Sequence, residues 1–166
     1  MTPAFSRTVR FGSESETSRF AAALAPALVP GDTLLLQGGL GAGKTHFARA
    51  LIQARLAAVG LAEDVPSPTY TLVQVYSDRA AEIWHCDLYR LSGPDEVAEL
   101  GLDEAFARAI CLVEWPERLE DLRPSGALRV GLRMTDDPGV RFATFESADS
   151  TWQDRLAPLL ADRVDG

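Results

Sequence analysis

One stretch constrains this chain more than any other: Leu34-Leu35-Leu36-Gln37-Gly38-Gly39-Leu40-Gly41-Ala42-Gly43-Lys44-Thr45. Three leucines in a row, preceded by Asp32-Thr33 and a Pro30-Gly31 turn, have the length and bounds of a strand buried on both faces. After the glycines, Phe47, Ala50, Leu51 and Ala54 recur at helical spacing. Between strand and helix, Gly38, Gly43, Lys44 and Thr45 satisfy G-x-x-x-x-G-K-[ST], the phosphate-binding loop. Glycine admits backbone conformations that let successive N–H groups converge on an anion, and the helix N-terminus adds unpaired N–H groups and a positive dipole end. The run Gly38, Gly39, Leu40, Gly41, Ala42, Gly43 is therefore expected to cradle phosphates, with Lys44 reaching the β- and γ-phosphates and the Thr45 hydroxyl on Mg²⁺.

Composition limits what surrounds this loop. A chain of 166 residues suits a single domain, 1–166, with room for a sizeable core. No apolar run is long enough to cross a bilayer, and Met1 to Phe11 lacks the apolar centre of a secretion signal. The expected location is the cytoplasm, where Cys86 and Cys111, which lack metal-ligand spacing, would stay buried and reduced. The net charge of −8, from 24 acidic against 16 basic residues, argues against direct binding to a nucleic-acid backbone. Any nucleic acid in this protein's biology is expected to be handled by a partner.

In chain order, Ser13 and Glu16 have capping-box spacing before an apolar stripe of Thr17, Phe20, Ala21, Leu24 and Leu28, which predicts a first helix lying on the sheet. The strand, loop and helix described above follow, to about Val59-Gly60. Asp64-Val65-Pro66-Ser67-Pro68-Thr69 excludes helix. It suits a stiff connector, and equally a nucleotide-sensitive loop that presents Thr69 to a metal or γ-phosphate. Thr71 to Tyr76 and Ala80 to Cys86 read as a hairpin across Ser77-Asp78-Arg79. Its second strand ends at Asp87, a place where a protein of this kind holds a metal-side acid. His85 alternates with apolar neighbours and reads as a strand residue. A helical stretch opens at Pro94 and runs through Phe106. Ile110-Cys111-Leu112-Val113 is a second fully apolar strand with Glu114 at its end, at the ligand crevice of an α/β sheet. Glu114 is thus a second candidate acid, for metal or water activation. Trp115 beside it could shut water out, although tryptophan there also suits packing. From about residue 127, Leu128–Met134 and Val140–Glu146 alternate apolar and polar residues around an Asp136–Gly139 turn, an antiparallel hairpin extending the sheet. A helix from Trp152 to Leu160 follows, and residues 162–166 are expected to be loose.

Taken together, the loop, Ser67-Pro68-Thr69-Tyr70-Thr71-Leu72, His85-Cys86-Asp87-Leu88-Tyr89-Arg90-Leu91 and Cys111-Leu112-Val113-Glu114-Trp115-Pro116-Glu117 resemble the TsaE (YjeE) ATPases of bacterial tRNA threonylcarbamoyladenosine synthesis. The resemblance runs from about Thr17 to Glu117. Cys86 stands where the family commonly has an aromatic. The hairpin and helix after about 127 carry no motif of their own. The resemblance implies an α/β, P-loop NTPase-like three-layer domain with a mixed β-sheet. It implies ATP and Mg²⁺ as ligands and slow hydrolysis to ADP by the isolated chain. It also implies action with two paralogous subunits of the TsaD and TsaB types, with tRNA engaged only indirectly. By the same resemblance Lys44 and Thr45 contact phosphate and metal, Asp87 and Glu114 flank the metal and attacking water, the Thr69 loop is the switch, and Trp115 lies beside the site. Two other readings fit the loop: a small-molecule kinase, and a nucleotide-gated interaction module whose hydrolysis is incidental. No arginine is an obvious finger, Arg90 being the cis candidate, and none gathers into a lid-like segment after Glu114.

Overall fold

Apolar runs bounded by turns give this chain its strands. They are β1 (Phe5–Phe11), β2 (Thr33–Gln37), β3 (Val73–Ser77), β4 (Glu82–Asp87), β5 (Ile110–Glu114), β6 (Leu128–Met134) and β7 (Arg141–Ser147). In the computed structural model, which describes residues 2–163 and 165, all seven join one sheet in the order β1-β7-β6-β2-β5-β4-β3. The four central strands, β6, β2, β5 and β4, run parallel, while β3 at one edge and β7 and β1 at the other pair antiparallel. The sheet is mixed, as expected.

The leucine run of β2 is buried because both faces of the sheet are covered. Leu34 and Leu36 point to a layer formed by α1 (Glu14–Leu24), α2 (Lys44–Ala58) and α5 (Thr151–Leu160), where Phe20, Phe47, Leu51, Trp152 and Leu156 are buried with them. Leu35 points the other way. There Cys86, Cys111 and Val113 meet Val97 of α3 (Pro94–Glu99), Leu102 and Ala105 of α4 (Leu102–Arg108), and Leu119 of the 3-10 segment Pro116–Leu122. Both cysteines are free and buried. Among the described residues no helix is long and apolar enough to cross a membrane.

The expected capping box holds in detail. Ser13 caps α1, its Oγ accepting from the Glu16 backbone N–H at 3.1 Å, while the Glu16 carboxylate accepts from Gly12 N–H at 2.6 Å. Arg55 of α2 donates to the carbonyls of Ala25 and Leu28 at the end of the first helix and pairs with Asp78 in the β3–β4 turn at 2.7 Å.

Three points depart from the sequence reading. The opening residues, assigned no element, form β1 against β7. Phe5, Val9 and Phe11 are buried and alternate with polar residues, which is a strand period. The helical stretch from Pro94 is two helices, because Gly101 takes a left-handed conformation (φ +79°) between them. Of the tail expected to be loose, residues 164 and 166 lie outside the described residues, but Asp165 bridges to Val9 and accepts from Arg7 Nε at 3.1 Å.

Candidate functional site

The P-loop forms where β2 stops pairing. Gly38 has φ +150°, and a Cβ there would lie 2.6 Å from the Leu132 carbonyl oxygen of the neighbouring strand, so no other residue fits. Gly43, at φ +105°, turns the chain into α2, which begins at Lys44. The Lys44 side chain folds back into the loop. Its Nζ donates to the carbonyls of Gly38 (2.6 Å) and Gly39 (2.9 Å) and stands 4.1 Å from the Trp115 ring centroid. Burial pushes the ammonium below its ordinary pKa, and the nearby Glu114, Asp87 and Glu117 carboxylates pull it partly back.

Both acids stand level beside this loop because of strand register. Leu36 of β2 pairs with Glu114 of β5, and Glu114 pairs with Asp87 of β4, so three parallel strands end at one line. Glu114 is buried, and the Thr45 hydroxyl donates across both of its oxygens, at 2.8 Å to Oε1 and 2.9 Å to Oε2. His85 Nε2 lies 2.7 Å from Glu114 Oε2. Asp87 Oδ2 accepts from Thr69 Oγ1 at 3.3 Å and Oδ1 from the Tyr89 N–H at 3.0 Å. Trp115 takes a left-handed conformation (φ +58°, ψ +53°) that sets its ring under Lys44 and against Tyr89, centroids 4.7 Å apart.

These groups line a cleft of about 330 Å³, with Leu40 through Thr45 on one wall and Thr69, Asp87, Glu114 and Trp115 on another. Gly38 and Gly39 do not line it; their carbonyls accept from Lys44, which does. The donor set suits a hard divalent cation: a hydroxyl and two carboxylates, all oxygen. Among the described residues no three His, Cys, Asp or Glu side chains gather closely enough to hold a metal unaided. A cation here would need oxygens from a bound phosphate as well, which is the habit of Mg²⁺.

The family model described as "Threonylcarbamoyl adenosine biosynthesis protein TsaE" matches residues 11–141. This chain belongs to the TsaE family. Among curated relatives, a TsaE from Rickettsia bellii is 43% identical over 125 residues, spanning 75% of this chain and 85% of its own. The Bacillus subtilis TsaE is 37% identical over 139 residues, covering 83% and 84%. Both carry the name tRNA threonylcarbamoyladenosine biosynthesis protein TsaE. Among solved structures, the crystal structure of Bacillus subtilis YdiB superposes with a TM-score of 0.74 at 29% identity, over 95% of each chain.

Sequence reasoning missed several walls of this TsaE-family cleft. Glu14 and Thr17 of α1 and His46 of α2 line it. For His46 the signal was its place directly after Thr45 in the first turn of the helix. Arg141, read only as a strand residue of the hairpin, reaches across from β7, its Nε donating to the Ala42 carbonyl at 3.0 Å and its NH2 group to Gly41 at 3.3 Å. No local pattern announces a contact between residues so far apart in the chain. Arg90, the cis finger candidate, points elsewhere. Its guanidinium donates to the carbonyls of Thr69 (3.1 Å) and Tyr70 (2.7 Å) and does not line the cleft.

Proposed function

We propose that this chain, acting as a single domain, binds ATP with Mg²⁺ and hydrolyses it slowly to ADP in the service of threonylcarbamoyl modification of the adenosine next to the anticodon of tRNA. The observation that carries the reading is the convergence of Lys44 and Thr45, at the first turn of α2, with Glu114 and Asp87 at adjacent strand tips. Family membership gives the biological context.

In this reading Leu40 to Gly43 supply backbone N–H groups to the phosphates, and the Lys44 ammonium exchanges the carbonyls of Gly38 and Gly39 for phosphate oxygens. Thr45 and one or both of the acids Asp87 and Glu114 hold Mg²⁺, which supplies neutralisation of the charge developing on the β- and γ-phosphates. The acid nearer the water orients it and takes its proton. Thr69, bonded to Asp87, reports the presence of the γ-phosphate to the Ser67–Tyr70 loop. Trp115 closes one side of the site against water. Catalysis is by positioning and charge, since phosphoryl transfer leaves the protein little covalent work.

The arginine on the cleft wall, Arg141, spends its Nε–H and one N–H of each terminal nitrogen on the carbonyls of Ala42, Val140 and Gly41. A finger supplied in trans typically adds ~10³–10⁵ in rate, so the lone chain is slow and its partners set its pace. Those partners are the TsaD and TsaB types of subunit, working in the cytoplasm, and they rather than this acidic chain meet the tRNA. Isothermal calorimetry with ATP and Mg²⁺ should show saturable heat, and turnover should rise when both subunits are added. Absence of heat with every purine triphosphate would overturn the reading. Rapid turnover that partners leave unchanged would overturn its partner-dependent half.

A further inference from the structure

Residues 83, 85 and 87 of β4 and 110, 112 and 114 of β5 share the sheet face that looks toward α2. On that face His85 lies opposite Leu112, one pleat behind the Asp87–Glu114 pair, and leans forward along the strands to Glu114. The ring is fully buried, and so is the carboxylate it meets at 2.7 Å. Nδ1 is buried too and has no hydrogen-bond partner among the described residues. The hydrogen-bond network therefore assigns the ring proton to Nε2: a proton on Nδ1 would leave one bare donor in the core and two lone pairs, Nε2 and Oε2, facing each other. An apolar residue would fill this place at lower cost, because burying a polar ring with one unpaired nitrogen is unfavourable. The expense has a function only if the bond to Glu114 has one.

We infer that His85 is a positioning residue for ATP hydrolysis: its Nε2–H fixes Oε2 of Glu114, so that Oε1, held by Thr45 alone, is the oxygen presented to metal or water. The inference rests on the ATPase reading and refines it. Two hydrogen bonds from rigid elements, β4 and the first turn of α2, leave the carboxylate one orientation. Without His85, Glu114 keeps only the hydroxyl of Thr45, which serves both oxygens equally and selects neither.

The test compares wild type with His85→Leu and His85→Gln. Leucine matches the buried apolar surroundings and removes the donor, whereas glutamine carries an amide N–H close to where Nε2 lies. His85→Leu should fold with somewhat lower thermal stability than wild type, because the buried Glu114 carboxylate loses a donor. It should lower kcat by about 10–100-fold, the usual effect of losing a group that orients a ligand, with KM for ATP little changed. His85→Gln should recover most of the loss. In the intact protein, imidazole ¹⁵N spectra should show Nε2 protonated and Nδ1 bare, and the Nε2–H resonance should move in Glu114→Gln. Full kcat in His85→Leu, an equal loss in both variants, or a proton on Nδ1 overturns the inference and leaves the ATPase reading standing. A wild type that neither binds nor hydrolyses ATP removes both. Should the leucine variant fail to fold, the spectra of the intact protein still decide.

Discussion

Lys44 carries a charge in a place that resists it. Burial lowers its pKa below the ordinary 10.5, and carboxylates that include Glu114 and Asp87 offset only part of that. Between the folded pKa and 10.5 the unfolded chain holds more protons, so the penalty for the buried ammonium is present at lower pH and is relieved as pH rises through that window. Nucleotide affinity should move the opposite way, because the neutral amine no longer attracts phosphate. Titrating MgATP affinity from neutral to alkaline pH should show it falling before 10.5. Lys44→Ala should weaken binding about 10–100-fold at neutral pH, from loss of ~1.5–3 kcal/mol of charge-assisted bonding, and should flatten that titration. An alkaline fall that persists unchanged in Lys44→Ala would assign it to another group. At Glu114 the loss should fall on turnover. In the proposed mechanism Glu114→Gln keeps the shape and a partner for Thr45 but removes the carboxylate offered to metal or water, and should cut hydrolysis by about 10²–10⁴-fold. Wild-type turnover in that variant would strip Glu114 of its assigned part.

The elements are tied together at a second polar point, away from the cleft. Arg55 and Asp78 join α2, the end of the first helix and the β3–β4 turn, and both side chains are largely buried. Burial alone would raise the Asp78 pKa. The N–H groups of Ala81 and Ala80 and the Arg55 guanidinium outweigh it and hold the carboxylate below its ordinary 3.8. Its contribution is therefore present above 3.8 and is lost as pH falls through the lower folded value. Asp78→Ala, which leaves Arg55 uncompensated, should cost about 3–5 kcal/mol in urea unfolding and make acid unfolding less steep. A cost near zero would mean that Arg55 finds water instead. What was legible at this scale was local. The buried leucine run of β2, the glycines of the loop, the Ser13 cap and the acids that end β4 and β5 are all patterns within a few residues. Register was not. That Asp87 stands opposite Glu114, that His85 reaches Glu114, and that Arg141 closes on Gly41 and Ala42 depend on pairing between distant segments, which no window contains. β1 is a different case: its alternation was present in Phe5, Val9 and Phe11, but arginines, a serine and a threonine between them hid it.

Across the whole molecule, the strands that bring the two acids to the cleft are also those that carry the two thiols. Cys86 sits one residue before Asp87 and Cys111 three before Glu114, on the opposite face of the sheet, against α3 and α4. Burial pushes the Cys86 thiol well up and raises Cys111 to about 12, with Arg108 and Thr33 countering only part of the latter. Both are thus shielded twice, by packing and by lack of thiolate. Iodoacetamide at mildly alkaline pH should leave the native protein unmodified and label both cysteines in guanidinium, the native reaction proceeding only through opening of the sheet's central strands. A ligand that binds the folded form alone suppresses that opening. MgATP at about 100 times its dissociation constant should add ~2.7 kcal/mol. For a chain of this size that amounts to a rise in Tm of roughly 5–10 °C. The same addition should slow labelling by about 100-fold if opening is global. Slower labelling without a higher Tm would mean that the ligand holds only β4 and β5. A higher Tm with unchanged labelling would mean that the thiols are reached by a local route past α3 and α4, and that the cleft and the opposite layer of helices open independently.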